Sequence, residues 1–220
     1  MSDNKPPRNF AVAIDGPAAS GKSTVARRLA GRLDLIMVNS GAMYRAIAWA
    51  TIQRHVDASD HDAVVAMLDD IEITCGVENG QSTILIDGVD PGEALREDQV
   101  NARVSKVAAV PEVRDLLVAK QREYLKLGSL VMEGRDIGSV VFPDTPYKLY
   151  IDASEEVRLA RRCAEGLHDV VSKRDEEDSK RKTSPLVVAD GAVVIDSSEM
   201  NIDEVVEAAL SQLRSQGLAL

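Results

Sequence analysis

The 220-residue chain is poor in cysteine and histidine, which limits the kinds of site that it can form. Its two cysteines, Cys75 and Cys163, stand in unrelated contexts without metal-ligand spacing. A disulfide framework is therefore not expected, and a reducing cytosol is the natural setting. The three histidines are scattered among polar residues, where a solvated surface position is the ordinary interpretation, and we assign them no role.

Long apolar runs and excess positive charge are also lacking. No apolar run approaches the ~20 residues needed to span a bilayer, and residues 1–9 lack the apolar core of a signal segment. We therefore expect a cytoplasmic protein with no membrane partner. The formal net charge of -10 disfavours binding to the phosphates of a DNA or RNA polymer. Arginines gathered in one place would instead serve a small anionic ligand.

The composition is that of a folded globular protein, with 45% hydrophobic and 28% charged residues. The length suits one α/β domain with a well-filled core. A strand pattern at Phe10–Asp15 precedes a helical pattern at 23–33, and a second apolar run at 35–38 precedes another helical pattern at 42–53. This alternation of strands and helices predicts a parallel sheet.

The alternation of predicted strands and helices is interrupted between Ile71 and Asp90, where two short β-like runs flank Asn79-Gly80. Asn-Gly is a favourable hairpin turn, so this stretch predicts a small antiparallel insert. The remaining patterns predict helices at 97–107 and 111–127, strands at 129–132, 147–151 and 192–195, and a C-terminal helix that Asn201 can cap.

One motif indicates the chemistry. Residues 16–24, GPAASGKST, fit the pattern G-x-x-x-x-G-K-[ST] and lie between a predicted strand and a predicted helix, where the pattern has physical meaning. Glycines let the loop wrap closely around phosphates, the lysine supplies charge near the β and γ oxygens, and the serine hydroxyl suits Mg²⁺. We therefore predict an ATP-binding loop formed by Gly16, Pro17, Ala18, Ala19, Ser20, Gly21, Lys22, Ser23 and Thr24, with Ser23 as a metal ligand.

A P-loop by itself does not separate a kinase from a GTPase or a motor. The chain lacks the D-x-x-G and N-K-x-D motifs that a GTPase would need. Arginines instead stand near predicted element ends or in the charged stretch 158–182, and the planar fork of arginine suits bidentate phosphate binding. For any single one, a solvated surface position is the alternative. The candidates are Arg45, Arg114, Arg135, Arg174 and Arg181.

Five blocks together resemble the bacterial cytidylate kinase family. They are GPAASGKST (16–24), SGAMYR (40–45), VSKVAAVPEVR (104–114), EGRDIGSVVFPD (133–144) and KRDEEDSKRKTSPL (173–186). The resemblance implies an α/β P-loop kinase with a central five-stranded parallel sheet flanked by helices. It also implies a monophosphate-binding lobe with a small antiparallel insert and a short lid. The expected single domain, 1–220, has its core at 9–40, 128–157 and 186–220, the lobe at about 41–127 with the insert at about 71–90, and the lid at about 158–185.

The resemblance further implies the reaction ATP + (d)CMP ⇌ ADP + (d)CDP with Mg²⁺, in pyrimidine nucleotide metabolism, and a monomer is expected. By motif position, cytosine would be recognised by Ser40, Ser105, Arg114 and Asp136. Arg45 and Arg135 would grip the acceptor phosphate, and Arg174, Asp178 and Arg181 would bind the pentose and the phosphates. The catalytic set would then be Lys22, Arg135, Arg174 and Arg181.

Three departures from the family pattern are visible. Asn39 stands where many members have aspartate, Glu177 stands where relatives often have a basic residue, and the link from Arg162 to Arg174 is short. The nearest alternative function is a P-loop kinase for another nucleoside monophosphate such as UMP or AMP. An alternative of a different class is a nucleotide-dependent regulator that binds ATP without transferring phosphate, although its lid region should lack an arginine set.

Overall fold

The structure, a computed structural model, describes residues 9–164 and 186–219. The strands are β1 (Ala11–Asp15), β2 (Ile36–Asn39), β3 (Ile73–Glu78), β4 (Gln81–Ile86), β5 (Leu130–Gly134), β6 (Lys148–Asp152) and β7 (Val193–Asp196). The α-helices are α1 (Lys22–Leu33), α2 (Ser40–Gln53), α3 (His61–Asp70), α4 (Asp98–Val107), α5 (Pro111–Glu123), α6 (Glu155–Ala164) and α7 (Ile202–Ser215).

The strands of the described residues form one seven-stranded sheet in the order β3-β4-β2-β5-β1-β6-β7. The five expected parallel strands are present as β2, β5, β1, β6 and β7. The insert is the antiparallel pair β3–β4, and it extends the same sheet because β4 joins β2 at Met37 and Gln81. The sheet therefore has seven strands rather than the expected five. The pair β3–β4 at one edge of the sheet is antiparallel.

The turn between β3 and β4 is the one that the sequence predicts. Asn79 and Gly80 both have positive φ, 49° and 73° respectively, as a tight hairpin turn requires. The amide of Met37 in β2 donates a 2.8 Å hydrogen bond to the carbonyl of Gly80. The turn itself thus fastens the insert to the edge of the parallel sheet.

Helices cover both faces of the sheet. On one face, α1 and α7 pack over the buried side chains Val12, Ile14 and Ile151. On the other face, α2, α3, α4 and α5 enclose a second core that includes Ala13 and Met132. All five residues of β1 are buried, because helices lie on both sides of it. Asp15, the last residue of β1, is therefore held in a fixed position.

Two helices and one turn were not predicted from the sequence. The helix α3 buries only Val64 and Met67, and α6 has no buried residue, so both lie at the surface of the fold. Residues Ile137–Val141 form a single turn of π-helix that is separated from the end of β5 by two residues. Such turns are rare and are frequently found at functional sites.

The cysteines and the lengths of the helices can also be compared with the sequence predictions. Both cysteines are free thiols, with Cys75 half-buried and Cys163 exposed. Within the described ranges, no helix combines the length and the apolar character that crossing a bilayer would require.

Candidate active site

The P-loop follows the carboxyl end of β1 and leads into α1. Gly16 has a φ of +152°, and a Cβ there would lie 2.1 Å from the carbonyl oxygen of Ile151. Gly21, directly before α1, has a φ of +89°. Both positions therefore require glycine, for the physical reasons that the motif indicates. The loop ends at the amino terminus of α1, whose unpaired amides and dipole favour an anion.

The P-loop backbone is fastened by residues far away in sequence. Arg161 of α6 donates hydrogen bonds to the carbonyl of Ser20 at 3.1 Å and to the carbonyl and hydroxyl of Ser197. The Ser197 hydroxyl also lies 3.1 Å from the Ser20 carbonyl. Arg158 donates to the carbonyl of Ala18 at 3.2 Å. The two arginines thus fix the carbonyls of Ala18 and Ser20. Because these carbonyls are fixed, the loop amides remain oriented for phosphate.

Lys22 and Ser23 occupy the first turn of α1. The Lys22 side chain is buried, and its Nζ donates a 2.8 Å hydrogen bond to the carbonyl of Pro17. The Ser23 hydroxyl donates a 2.9 Å hydrogen bond to the carboxylate of Glu133, the penultimate residue of β5, the strand beside β1. Our sequence reasoning gave Glu133 no role, although an acidic residue at the carboxyl end of a core strand was a usable signal.

The donor set around Ser23 fits Mg²⁺. This ion takes oxygen ligands, and it is commonly bound by one or two protein groups together with substrate phosphates and water. The Ser23 hydroxyl and the Glu133 carboxylate supply two such oxygens at the P-loop. Among the described residues, no cluster of three or more His, Cys, Asp or Glu forms a metal site by itself. An ion held here would therefore need phosphate ligands.

A cleft of about 220 Å³ opens in front of the P-loop. It is bounded by the start of α2, by Val104 and Ala108 at the end of α4, and by the residues that follow β5. The predicted site residues that line it are Ala18, Ala19, Gly21, Lys22, Ser23, Thr24, Ser40, Arg45, Arg114, Arg135 and Asp136. Asn39, Tyr44, Glu133 and Arg162 also line it.

Arg114 and Asp136 form a buried ion pair at this cleft. One guanidinium nitrogen of Arg114 bonds the Asp136 carboxylate, and another donates to the carbonyl of Ala108 at 3.2 Å. The guanidinium also lies 5.4 Å from the centre of the Tyr44 ring. Only 4% of the Arg114 side chain is exposed, so the alternative of a solvated surface arginine is wrong at this position. Within the described residues its Nε is buried and has no hydrogen-bond partner.

Two residues at the start of α2 have defined local roles. The Asn39 side chain accepts a 3.0 Å hydrogen bond from the amide of Ala42 and so caps α2. An amide oxygen serves this function as well as a carboxylate does. The Ser40 hydroxyl donates a 2.8 Å hydrogen bond to the carbonyl of Glu133, and its oxygen can still accept one.

The end of β1 is tied to the segment after β5 by Asp15. Its two carboxylate oxygens accept hydrogen bonds from the amides of Ile137 and Gly138, each 2.8 Å long. Burial raises the pKa of Asp15 to about 6, while the two amide hydrogen bonds and the charge of Lys22 act in the opposite direction. The nearby charge of Asp136 raises that pKa further.

Some predicted site residues are placed elsewhere. Ser105 is half-buried on α4 and is not among the residues that line the cleft. Gly16, Pro17 and Ser20 belong to the P-loop but lie behind the cleft surface. Arg174, Asp178 and Arg181, as well as Glu177, lie outside the described residues. Their roles stay predictions.

Comparison with known proteins gives the family. A model of the cytidylate kinase family matches residues 12–215. The cytidylate kinase of Pectobacterium carotovorum subsp. carotovorum (strain PC1) is 39% identical, over 92% of this chain and 95% of that protein. The cytidylate kinase of Clostridium botulinum (strain Loch Maree / Type A3) is also 39% identical, over 94% and 98% respectively. The unliganded sugar kinase from Janibacter sp. HTCC2649 shares the fold, with a TM-score of 0.51 at 14% identity over 95% of this chain and 96% of that one. The chain therefore belongs to the cytidylate kinase family.

Proposed function

We propose that the protein transfers the γ-phosphoryl group of ATP to CMP or dCMP, giving ADP and CDP or dCDP, with Mg²⁺ as cofactor. Family membership supports a nucleoside monophosphate kinase. The observation that carries the choice of cytosine is the buried Arg114–Asp136 pair, both members of which line the cleft. Together the pair offers a guanidinium donor and a carboxylate acceptor to the edge of a base.

The donor nucleotide would occupy the P-loop. Its phosphates would accept hydrogen bonds from the loop amides and from Lys22, which can exchange the Pro17 carbonyl for a phosphate oxygen. Ser23 and Glu133 would hold Mg²⁺, which supplies positive charge to the β- and γ-phosphate oxygens. Arg158 and Arg161 would stabilise the loop conformation through its carbonyls, and this role does not require them to contact the phosphates.

The acceptor base would lie against Arg114 and Asp136. Cytosine offers an amino donor, and the Asp136 carboxylate and the Ser40 oxygen are acceptors suited to it. The Arg114 guanidinium, which lines the cleft, can donate to the ring nitrogen or the carbonyl of the base. Uracil has a carbonyl in place of the amino group, so its oxygen would face the acceptors of Asp136 and Ser40. Discrimination then follows from unpaired polar groups in a closed site.

The acceptor phosphate would lie between the base and the P-loop, where Arg45 and Arg135 line the cleft. One of its oxygens forms a bond to the γ-phosphorus, the bond from that phosphorus to the β–γ bridging oxygen breaks, and the electron pair leaves with ADP. The nucleophile is already anionic, so no general base is required. The protein contributes alignment and charge neutralisation.

The domain organisation is part of the proposal. Residues of α2, α4 and α5 would form the monophosphate-binding lobe, and the β3–β4 pair is its insert into the sheet. Residues 158–164 of the expected lid belong to α6. The expected roles of Arg174, Asp178 and Arg181 in binding the pentose and the phosphates stay predictions from the family resemblance.

A coupled assay of ADP release tests the proposal, with CMP, dCMP, UMP and AMP offered separately at saturating ATP and Mg²⁺. We expect CMP and dCMP to be used with the highest kcat/KM. A higher kcat/KM for UMP or AMP would contradict cytidylate specificity and favour the alternative kinase. Binding of ATP without transfer to any of the four acceptors would contradict the enzyme and favour the regulator.

A further inference from the structure

Asp15 is a buried carboxylate for which the ATP loop and the cleft lining give no role. It ends β1 directly before Gly16, and only 3% of the residue is exposed. Its two oxygens accept 2.8 Å hydrogen bonds from the consecutive amides of Ile137 and Gly138. Both carboxylate oxygens thus accept from the same segment of backbone, the start of the π-helical turn Ile137–Val141.

That turn carries the acceptor side of the cleft. Ile137 directly follows Arg135 and Asp136, which both line the cleft, and Asp136 is the partner of Arg114. The carboxylate is planar and rigid, and it is bonded to two successive amides. It therefore fixes the distance between the start of the P-loop and the segment 135–136.

The packing around Gly138 shows how closely the turn approaches Asp15. A Cβ at Gly138 would lie 3.3 Å from Oδ2 of Asp15 and 3.2 Å from Cβ of Ala189. The Cδ of Lys148 is also 3.3 Å from that point. A side chain at position 138 would therefore require the turn, the carboxylate or another neighbour to shift by a few tenths of an ångström.

We propose that Asp15 is a positioning residue for phosphoryl transfer, because its carboxylate holds Arg135 and Asp136 at a fixed distance from the P-loop. This rests on the proposed function, in which the P-loop carries the donor and the segment 135–136 carries the acceptor. Transfer requires the two reacting atoms to be aligned, and a misplacement of about 1 Å costs about 10²-fold in rate. A hydrophobic residue would fill the same space, but it could not bind the two amides.

Asp15→Asn tests the proposal, because the amide has the same shape but only one acceptor oxygen, and its NH₂ group would face a backbone N–H. At pH 8 we expect kcat/KM for CMP to fall by at least ~10-fold, a loss of positioning rather than of fold. The KM for ATP should stay within threefold of wild type, and the melting temperature should not fall. Hydrogen exchange at the Ile137 and Gly138 amides should accelerate by about 10-fold or more, because one of them loses its acceptor.

Ser139→Ala is the matched control. Ser139 lies on the same turn, its Oγ is buried without a hydrogen-bond partner among the described residues, and it does not contact the Asp15 carboxylate through any described hydrogen bond. We expect wild-type kinetics and wild-type exchange at the Ile137 and Gly138 amides from this variant. If Ser139→Ala lowered kcat/KM for CMP as much as Asp15→Asn does, any substitution in the turn would impair the reaction. That result would overturn the specific role of the carboxylate.

Gly138→Ala gives a second route, since it keeps the Asp15 carboxylate but crowds the contact between that carboxylate and the turn. Its kinetic loss should resemble that of Asp15→Asn, and the double variant should lose little more than either alone, because the two changes break one contact. Unchanged exchange and unchanged kcat/KM in Asp15→Asn would overturn the inference. So would an equal loss for ATP and CMP together with a lowered melting temperature. A wild-type protein that phosphorylates no acceptor would instead overturn the proposed function. The exchange measurement would still test whether the Asp15 carboxylate fixes the turn through the amides of Ile137 and Gly138.

Discussion

Ser23 and Glu133 are 110 positions apart in the sequence, yet the Ser23 hydroxyl donates a 2.9 Å hydrogen bond to the Glu133 carboxylate. The contact exists because β1 and β5 are parallel neighbours whose carboxyl ends meet at one edge of the sheet. It joins the P-loop to an acid at the point where a nucleotide-bound Mg²⁺ would lie.

Glu133→Gln should lower kcat by about 10²-fold and raise the Mg²⁺ concentration needed for half-maximal activity, because the amide keeps the size but loses the charge that holds the cation. Titration of activity with Mg²⁺ measures this. The exposed Glu123→Gln is the control and should behave as wild type, since Glu123 pairs with Lys126 at the surface. An unchanged Mg²⁺ titration of Glu133→Gln would contradict the metal assignment.

Lys22→Ala should reduce turnover by about 10³-fold, since a positioned charge at the transferring phosphoryl group is lost. The melting temperature should change little, because the Lys22 ammonium donates to a carbonyl of the loop, that of Pro17. Turnover and thermal melting are measured together, with the exposed Lys126→Ala as control. Near-wild-type turnover of Lys22→Ala would contradict the P-loop assignment.

Arg114→Met should raise the KM for CMP and weaken the preference for CMP over UMP and AMP, with little change in the KM for ATP. It should also lower the free energy of unfolding by about 3–5 kcal/mol, because the buried Asp136 loses its partner. The nucleotide panel and urea denaturation measure the two effects. The exposed Arg96→Met should change neither.

A double variant separates recognition from stability at this pair. Arg114→Met with Asp136→Leu removes both buried charges and should recover much of the lost unfolding free energy, since an apolar pair can replace a buried ion pair. Selectivity for CMP should not return. If the double variant still selects CMP as wild type does, the pair has no part in recognising the base.

The ionisation of Asp15 should be visible in the pH dependence of stability. Its pKa is raised from 3.8 to about 6 in the folded protein, so between those values the folded state binds more protons than the unfolded state, and stability falls as pH rises. Above pH 6 this charge costs about 3 kcal/mol. Two charged groups act on this pKa: Asp136 raises it and Lys22 lowers it.

Asp15→Asn removes that ionisation, so its unfolding free energy relative to wild type should increase from pH 4.5 to pH 7.5. Urea denaturation of both proteins at the two pH values measures the difference. A relative stability that is the same at both values would show that Asp15 does not titrate as its burial indicates.

Local signals in the sequence were sufficient for much of the fold. The glycines of the P-loop, the Asn79-Gly80 turn and the cap at Asn201 are short-range features, and each forms the structure that it predicts. The parallel strands also followed from local runs of apolar residues. Such features can be read without tertiary information because their causes lie within a few residues.

Other contacts have no local signal. The helix α6 buries no residue, and its arginines gain their partners from the P-loop and from Ser197. The joining of β4 to β2 depends on a strand edge that exists only after β2 has entered the sheet. In both cases the partner lies in a distant segment, so a single segment does not predict the contact.

The sequence by itself determined the family, the P-loop and three of the arginines that line the cleft, Arg45, Arg114 and Arg135, because these depend on residue type and spacing. Only the tertiary structure decided which side chains meet. Glu133 with Ser23, Asp136 with Arg114, and Asp15 with the amides of Ile137 and Gly138 are separated by between 22 and 123 positions in the chain. Parallel strands bring their carboxyl ends to one edge of the sheet, and contacts made there depend on strand order and register rather than on local sequence.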